Sequence, residues 1–321
     1  MPKPTPLPAA VHALSTMWSQ GRYREEGDEH DDMVAFAKHI AELGYGYAEI
    51  NYVILGQGVD ALIDCGHVAF SSVHSPCPRV KMPDGRYSEA LNLASHDETE
   101  RKAAVKVAQD SVDTAVRAGA GLMVVHLGGN GHAILEQERR LRKLYDEGVT
   151  EGEEVNRLRR SGAKLREELK PAHYPQAKRS LAEIAEYAAP RGVMVGLENR
   201  YHFHEFPDPD EMQELLADYP ADVAGFWIDI GHVEVLDRLG FYDRHRWLDE
   251  IADRCIGSHV HDTDGLADHR APGFGTSDWE HYAAKLPPDI PRVFEINQKQ
   301  DEERVAAAIG FLRGVGVLPE A

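Results

Sequence analysis

Cys255-Ile256-Gly257-Ser258-His259-Val260-His261-Asp262-Thr263-Asp264-Gly265 opens as a short apolar run and ends as a polar loop. That loop continues through Asp268-His269-Arg270 to Pro272-Gly273-Phe274-Gly275. The apolar part reads as a β-strand. The imidazoles and carboxylates that follow it are the side chains that bind divalent metals and move protons. A strand that delivers such groups at its C-terminal end has the form of a rim of a parallel-barrel active site. The stretch decides the fold only if the remaining chain repeats its pattern.

The pattern repeats. Apolar runs at 11–18, 47–53, 70–73, 122–125, 193–197, 223–228 and 293–294 join the one beginning at Cys255. Helical spacing separates them, at 31–43, 59–65, 97–118, 180–189, 209–219, 247–254, 277–286 and 302–313. The helix at 97–118 carries Asp97, Glu98 and Glu100 at its start and Gly119 at its end, and Asp208 is placed to cap the helix after it. Strands each followed by a helix predict an α/β fold, a (β/α)8 barrel, as one domain over 1–321. A doubly wound open sheet lacks its chief sign, a Gly-rich phosphate loop after the first strand.

One segment departs from the alternation. Residues 131–170 are rich in Arg, Lys and Glu, with Leu141, Leu144, Tyr145, Val155, Leu158, Leu165 and Leu169 at helical spacing and breaks at Gly148 and Gly152. This predicts a helical hairpin inserted after the fourth strand. Its arginines at 139–142 and 157–160 read as a solvated helical face balanced by glutamates. A lid, a phosphate grip or a contact between copies in a homo-oligomer are the functional alternatives.

Composition bounds the rest. A chain of 321 residues, 42% of them hydrophobic, can bury one large core. The net charge of -19 argues against general affinity for nucleic acid or anionic membrane. Three scattered cysteines with no CxxC pair point to a reducing cytoplasm. The opening Met1-Pro2-Lys3-Pro4-Thr5-Pro6-Leu7-Pro8 has no apolar core of a signal peptide and reads as a lead-in. No apolar run of about 18 residues predicts a membrane span.

The strand ends carry the chemistry. The third strand ends in His74, the fourth in His126, the fifth in Glu198, and the sixth in Asp229 and His232. The seventh gives His259 and His261, with Asp268 and His269 in its loop, and the eighth gives Glu295. A barrel brings all of these to one mouth. A lone histidine there is more often a hydrogen-bonded structural residue. A carboxylate in an apolar strand, as at Glu198 and Glu295, needs a cation or a donor. Glu198, Asp229, His259 and Glu295 form an oxygen-rich set suited to Mn2+ or Mg2+, with Co2+ and Zn2+ as alternatives. Adding His74, His126, His232 and His269 brings nitrogen, favours Zn2+ and makes room for more than one ion.

Four stretches resemble the xylose isomerase-like TIM-barrel superfamily, and within it the sugar phosphate isomerase/epimerase branch. They are Gly196-Leu197-Glu198-Asn199-Arg200, Trp227-Ile228-Asp229-Ile230-Gly231-His232, the His259 to Gly275 region, and Phe294-Glu295-Ile296. The resemblance implies that Glu198, Asp229, His259 and Glu295 bind one divalent cation, Mn2+ or Zn2+ first. It implies that Glu198 and Glu295 shuttle a proton across a cis-enediolate of a sugar-like substrate, and that His232 contacts that substrate. Arg200 is a candidate to grip a substrate oxyanion, and His261 and Trp227 are further substrate-side candidates. Endonuclease IV shares the barrel, and His74, His126 and His269 match its extra zinc histidines, while Asp268 is displaced in register from the matching aspartate. A metal-dependent phosphodiester hydrolase is therefore the rival reading, together with a lyase (dehydratase or deglycosidase) that uses the same residues. A non-catalytic sensor is disfavoured by the intact acid/base pair.

Overall fold

A parallel sheet covered by helices is buried on both faces, and its strands must be apolar throughout. The strands at Leu122–Val125 and Ala224–Asp229 meet this condition, with every residue buried. The computed structural model describes residues 11–24 and 30–320, so the proline-rich lead-in lies outside the described residues. In chain order the strands are β1 (His12–Ser15), β2 (Tyr47–Ile50), β3 (Ala69–His74), β4 (Leu122–Val125), β5 (Met194–Glu198), β6 (Ala224–Asp229), β7 (Cys255–His259), β8 (Asp262–Asp264), β9 (Ala267–Arg270) and β10 (Arg292–Phe294). Eight of them close into a parallel barrel in the order β1-β10-β7-β6-β5-β4-β3-β2, and β8 and β9 form a separate antiparallel ribbon. The fold is the expected TIM barrel.

The helices are α1 (Met33–Glu42), α2 (Gly56–Asp64), α3 (Glu98–Ala118), α4 (Glu136–Asp146), α5 (Glu153–Ala188), α6 (Pro209–Ala217), α7 (Ile230–Arg238), α8 (Arg246–Ile251), α9 (Trp279–Lys285) and α10 (Glu302–Gly314). Their starts follow capping chemistry: Asp97 accepts from the Thr99 amide, and Asp208 and Glu211 form a reciprocal capping box. No helix of the described residues is long and apolar enough to cross a membrane.

Two local expectations are corrected, and one element is added. The first run ends as a strand at Ser15, whose hydroxyl accepts from the Met17 amide and starts a 3-10 turn over Thr16–Ser19. The helix expected at 180–189 is the end of α5, which runs unbroken from Glu153 and fuses the second arm of the inserted hairpin to the barrel. Pro171 and Pro175 are tolerated because both lie on its exposed face, while His173, Tyr174 and Ala177 turn inward. The segment after Asp229, to which the helical spacing assigned no element, is α7. Asp229 caps it, accepting from the His232 amide at 2.7 Å.

The hairpin packs at the mouth end of the barrel. Leu135, Leu141, Leu144 and Val155 form a small core with Phe203, Val235, Leu236 and Leu239, which belong to the β5–α6 loop and to α7 and its end. Glu138 is fully buried and accepts from Arg142 at 2.9 Å and from the Phe203 amide at 3.1 Å. Arg166 of α5 makes a bidentate pair with Glu211 of α6, at 2.7 and 2.8 Å.

These buried pairs predict acid sensitivity. Burial alone would raise the Glu138 and Glu211 carboxyls. For Glu138 the contacts with His202 and Arg142 outweigh burial, and for Glu211 those with Arg166 and Lys170 do, so both are held below the usual carboxylate range. A depressed folded pKa contributes stability that is fully present above the unfolded value, about 4.3, and is lost as pH falls through the lower folded value. The urea midpoint is therefore expected to decline below about pH 5, and less steeply for Glu138→Gln. An identical acid profile for the two proteins contradicts the assignment.

Candidate metal centre and active site

Four side chains converge at the C-terminal end of the barrel. The Nδ1 of His259 lies 3.3 Å from Glu295 Oε2, 3.5 Å from Asp229 Oδ2 and 3.7 Å from Glu198 Oε1. One ligand atom from each of Glu198, Asp229, His259 and Glu295 falls within 4.8 Å of the others, and all four residues are buried. Like charges this close in a dry site repel strongly unless a cation compensates them. Buried polar atoms are almost always hydrogen-bonded. Glu198 Oε1 and His259 Nδ1 have no such partner among the described residues, and both face the common space. A divalent cation there would satisfy both, so the donor set fits the metal implied by the sequence.

The electrostatics agree. Burial opposes ionisation of Glu198, yet His126, His232 and His259 hold it well below the usual range. Burial is likewise outweighed at Glu295, which sits at about 2 beside His259 and His269. His259 is pushed well above its ordinary value, because the Glu295 and Glu49 carboxylates overcome its burial. Metal binding must displace that proton, so affinity is expected to fall in acid.

Glu49 escaped the sequence reading. It lies in β2, one residue before its end, in a fully buried position, with both carboxylate oxygens 3.2 Å from His259 Nε2, and it accepts from Ser72 Oγ at 2.8 Å. This fixes Nε2 as the proton-bearing nitrogen and leaves Nδ1 for a metal. The signal was the one used for Glu198 and Glu295, a carboxylate in an apolar strand. Glu49→Gln is expected to weaken metal binding about 10- to 100-fold, measured by competition with a chelator. Unchanged affinity would show that Glu49 does not orient the histidine.

Other neighbours hold the ligands in place. Asn51 Nδ2 donates to Glu295 Oε1 at 2.7 Å, and Asn199 both donates to the Asp229 carbonyl and accepts from its amide. His261, expected on the substrate side, has both nitrogens committed. Its Nε2 lies 3.0 Å from the Asp229 oxygens and its Nδ1 accepts from the His269 amide at 2.9 Å. Its ring is packed under α7, where a Cβ on Gly231 would lie 2.0 Å from its Cε1. It is a positioning residue for Asp229.

Trp227 is also corrected. It shares the inward face of β6 with Asp229, two residues on, and so sits one layer deeper in the barrel. It is fully buried with Ala13, Leu122, Val124 and Val293, its ring 5.2 Å from that of His259. It forms a floor beneath His259.

The remaining candidates surround the tetrad. His74 Nε2 and His126 Nε2 lie 3.0 and 2.8 Å from Glu198 Oε2. His232 Nδ1 is 3.3 Å from Glu198 Oε1, and its Nε2 is 3.9 Å from Asp268 Oδ2. His269 places Nδ1 3.0 Å from Asp268 and Nε2 3.4 Å from Glu295. Asp268 and His269 are adjacent in sequence, yet both turn into the site, with His269 at φ 54°. A left-handed non-glycine residue costs about 1–2 kcal/mol, and such strain gathers at functional sites. Each of the sets His74–His126–Glu198 and His232–Asp268–His269 has ligand atoms within 4.8 Å of one another. Asp262, by contrast, shapes the loop: it accepts from the Gly273, Gly275 and Ser277 amides, each at 3.0 Å.

Arg200 is held by Glu205 at 3.1 Å, and its Nη1 has no partner among the described residues and lies 3.8 Å from Glu198. Tyr52, which the sequence reading missed, stands with its ring 5.0 Å from that of His74. It borders a cavity of about 390 Å3 together with His269 and Asn297.

Comparison with known proteins adds the following. The sequence model of the family described as xylose isomerase-like TIM barrel matches residues 37–315. Among solved structures, the chain is similar to a D-tagatose 3-epimerase-like protein, with 20% identity, 95% of this chain and 96% of that one covered, and a TM-score of 0.64. It is also similar to D-psicose 3-epimerase from Clostridium cellulolyticum H10, at 14% identity, 95% and 99% coverage and a TM-score of 0.63. A putative xylose isomerase from Rhodospirillum rubrum ATCC 11170 matches at 14% identity, 97% and 100% coverage and a TM-score of 0.66. These likenesses show a shared fold. Among curated sequences, the uncharacterized protein y4fM of Sinorhizobium fredii is 23% identical over 192 residues, 59% of this chain. The match spans about half, 50%, of that relative's length.

Proposed function

The chain belongs to the xylose isomerase-like TIM-barrel family, and on that premise we propose that it is a divalent-metal-dependent isomerase or epimerase of a sugar or sugar-like polyol. The observation that carries the reading is the convergence of three buried carboxylates on His259 Nδ1, with orphaned polar atoms facing one another. Glu198, Asp229, His259 and Glu295 would hold the ion. Their oxygen-rich set suits Mn2+, with Zn2+ next and Mg2+ or Co2+ as alternatives. When bound, the cation supplies Lewis-acid polarisation of a substrate carbonyl and offsets developing negative charge.

The protein's own residues supply the rest. Glu198 on β5 and Glu295 after β10 reach the centre from strands separated by β6 and β7. One carboxylate takes the proton from the carbon beside the carbonyl, and the other returns a proton to the resulting enediolate. Asn51 steadies Glu295, and His74 and His126 steady Glu198. Arg200 Nη1 and His232 are placed to bind substrate oxygens. In D2O, Mn2+-loaded protein is expected to exchange the hydrogen beside the carbonyl of its ketose substrate, followed by proton NMR. A panel of ketoses with no exchange, while Mn2+ stays bound, contradicts the proposal.

The two flanking histidine sets favour a second reading, a metal-dependent hydrolase with more than one metal. Three tightly held zinc ions in the purified protein would support it. The net charge of -19 opposes a nucleic-acid substrate.

A further inference from the structure

A cavity of about 630 Å3 opens beside the metal centre, between the β3–α3 loop and the loops that follow β4 and β5. It meets the centre through His126, 2.8 Å from Glu198, and through Arg200, 3.8 Å from the same carboxylate. The smaller cavity at Tyr52 reaches the centre through His269, 3.4 Å from Glu295. Two spaces therefore approach one reacting position, from the two glutamates proposed as the acid/base pair. Each falls in the range of about 300–1,000 Å3 that encloses a small-molecule ligand, and the larger has the more room. A single sugar ring held at the tetrad from one side leaves the other space to water.

The walls of the larger cavity are tied together. Asn92 Nδ2 donates to the Gly129 carbonyl at 2.9 Å, and Gly129 pairs with Glu205 as an isolated β-bridge. Its two arginines are already paired with carboxylates, and His132 is its exposed basic side chain. Arg86 pairs with Glu100 at 2.8 Å, and Arg200 with Glu205 at 3.1 Å. Glu89 on the same wall is taken by Arg79 at 2.9 Å. Among the buried polar atoms of the described residues on this wall, those without a partner are His204 Nδ1, on a residue only 3% exposed, and Arg200 Nη1. Burial holds the His204 imidazole below its ordinary pKa, on the neutral side. An imidazole and the N–H donors of one guanidinium nitrogen suit hydroxyl groups, which both donate and accept. They do not form the cluster of free cations that a phosphate requires.

We propose that this cavity is a substrate subsite for a neutral, hydroxyl-bearing substituent, so that the reacting sugar carries a glycosyl group and not a phosphate. The inference rests on the isomerase or epimerase reading of the tetrad.

The test is calorimetric binding to the Mn2+-loaded protein. Its probes are fructose, fructose phosphorylated at its terminal hydroxyl, and fructose glucosylated at the same hydroxyl. The glucosylated sugar is expected to bind at least about tenfold more tightly than either of the others. His204→Ala is expected to bring that ratio toward one. Ala133→Trp, at an exposed position on the cavity wall, is expected to do the same without disturbing the core. Equal affinities, a preference for the phosphorylated sugar, or a ratio unmoved by both substitutions overturns the subsite and leaves the sugar reading standing. Binding of none of the probes, with Mn2+ retained, overturns both.

Discussion

Glu295→Gln is expected to lower kcat by about 100- to 10,000-fold at saturating Mn2+, the usual contribution of a positioned acid or base. The substitution keeps shape and volume, and the amide oxygen can still accept from Asn51, which now lies 2.7 Å from Glu295 Oε1. What is lost is the capacity to take and return a proton, together with one charge of the metal set. Assays at rising Mn2+ separate these effects: metal affinity recovers at high concentration and proton transfer does not. Glu198→Gln is expected to be as severe, but it also disturbs the contacts with His74 and His126. Glu295 is therefore the cleaner test, and full turnover by its variant at saturating metal contradicts the assignment.

The largest expected effect on stability lies away from the metal. Arg166 is almost fully buried, and its charge is answered by the bidentate contact with Glu211. Glu211→Ala removes the bidentate partner, leaves that buried charge to the weaker contact with Asp208 at 3.2 Å, and removes the second half of the capping box at the start of α6. Breaking one partner of a buried pair costs about 3–5 kcal/mol. An exposed pair such as Arg86–Asp84, screened by solvent, is expected to contribute far less. Urea unfolding compares the two directly. The paired change Arg166→Met with Glu211→Leu should restore much of the loss, because it removes both charges together. A loss for Glu211→Ala as small as that of the surface pair would show that the buried contact does not hold α5 to α6.

The barrel was legible because its strands are buried on both faces and therefore read as unbroken apolar runs between helical spacing. The tetrad was legible because a carboxylate that ends such a run, as at Glu198 or Glu295, has no apolar explanation. Glu49 carried the same signal, but β2 was read only as a strand and the carboxylate inside it was not questioned. Trp227 was misplaced for a related reason, since alternation along β6 puts it on the face of Asp229 and below it. Helix α7 was hidden by Gly231, a residue typical of loops, which is needed for the close approach of His261. The register of Asp268 and His269 depends on a left-handed residue, His269 itself, inside the short strand β9, and neither spacing nor periodicity encodes that. The fusion of the hairpin to α5 was obscured by Pro171 and Pro175, which break helices by propensity and are admitted here on the exposed face.

Anomalous diffraction from crystals grown with Mn2+, recorded above and below the metal edge, tests the metal centre itself. The predicted result is one strong peak bound by Glu198, Asp229, His259 and Glu295, with His269 and His232 free to face substrate. Peaks held by His74–His126 and by His232–Asp268–His269, or no peak at the tetrad, would contradict the single-metal isomerase account.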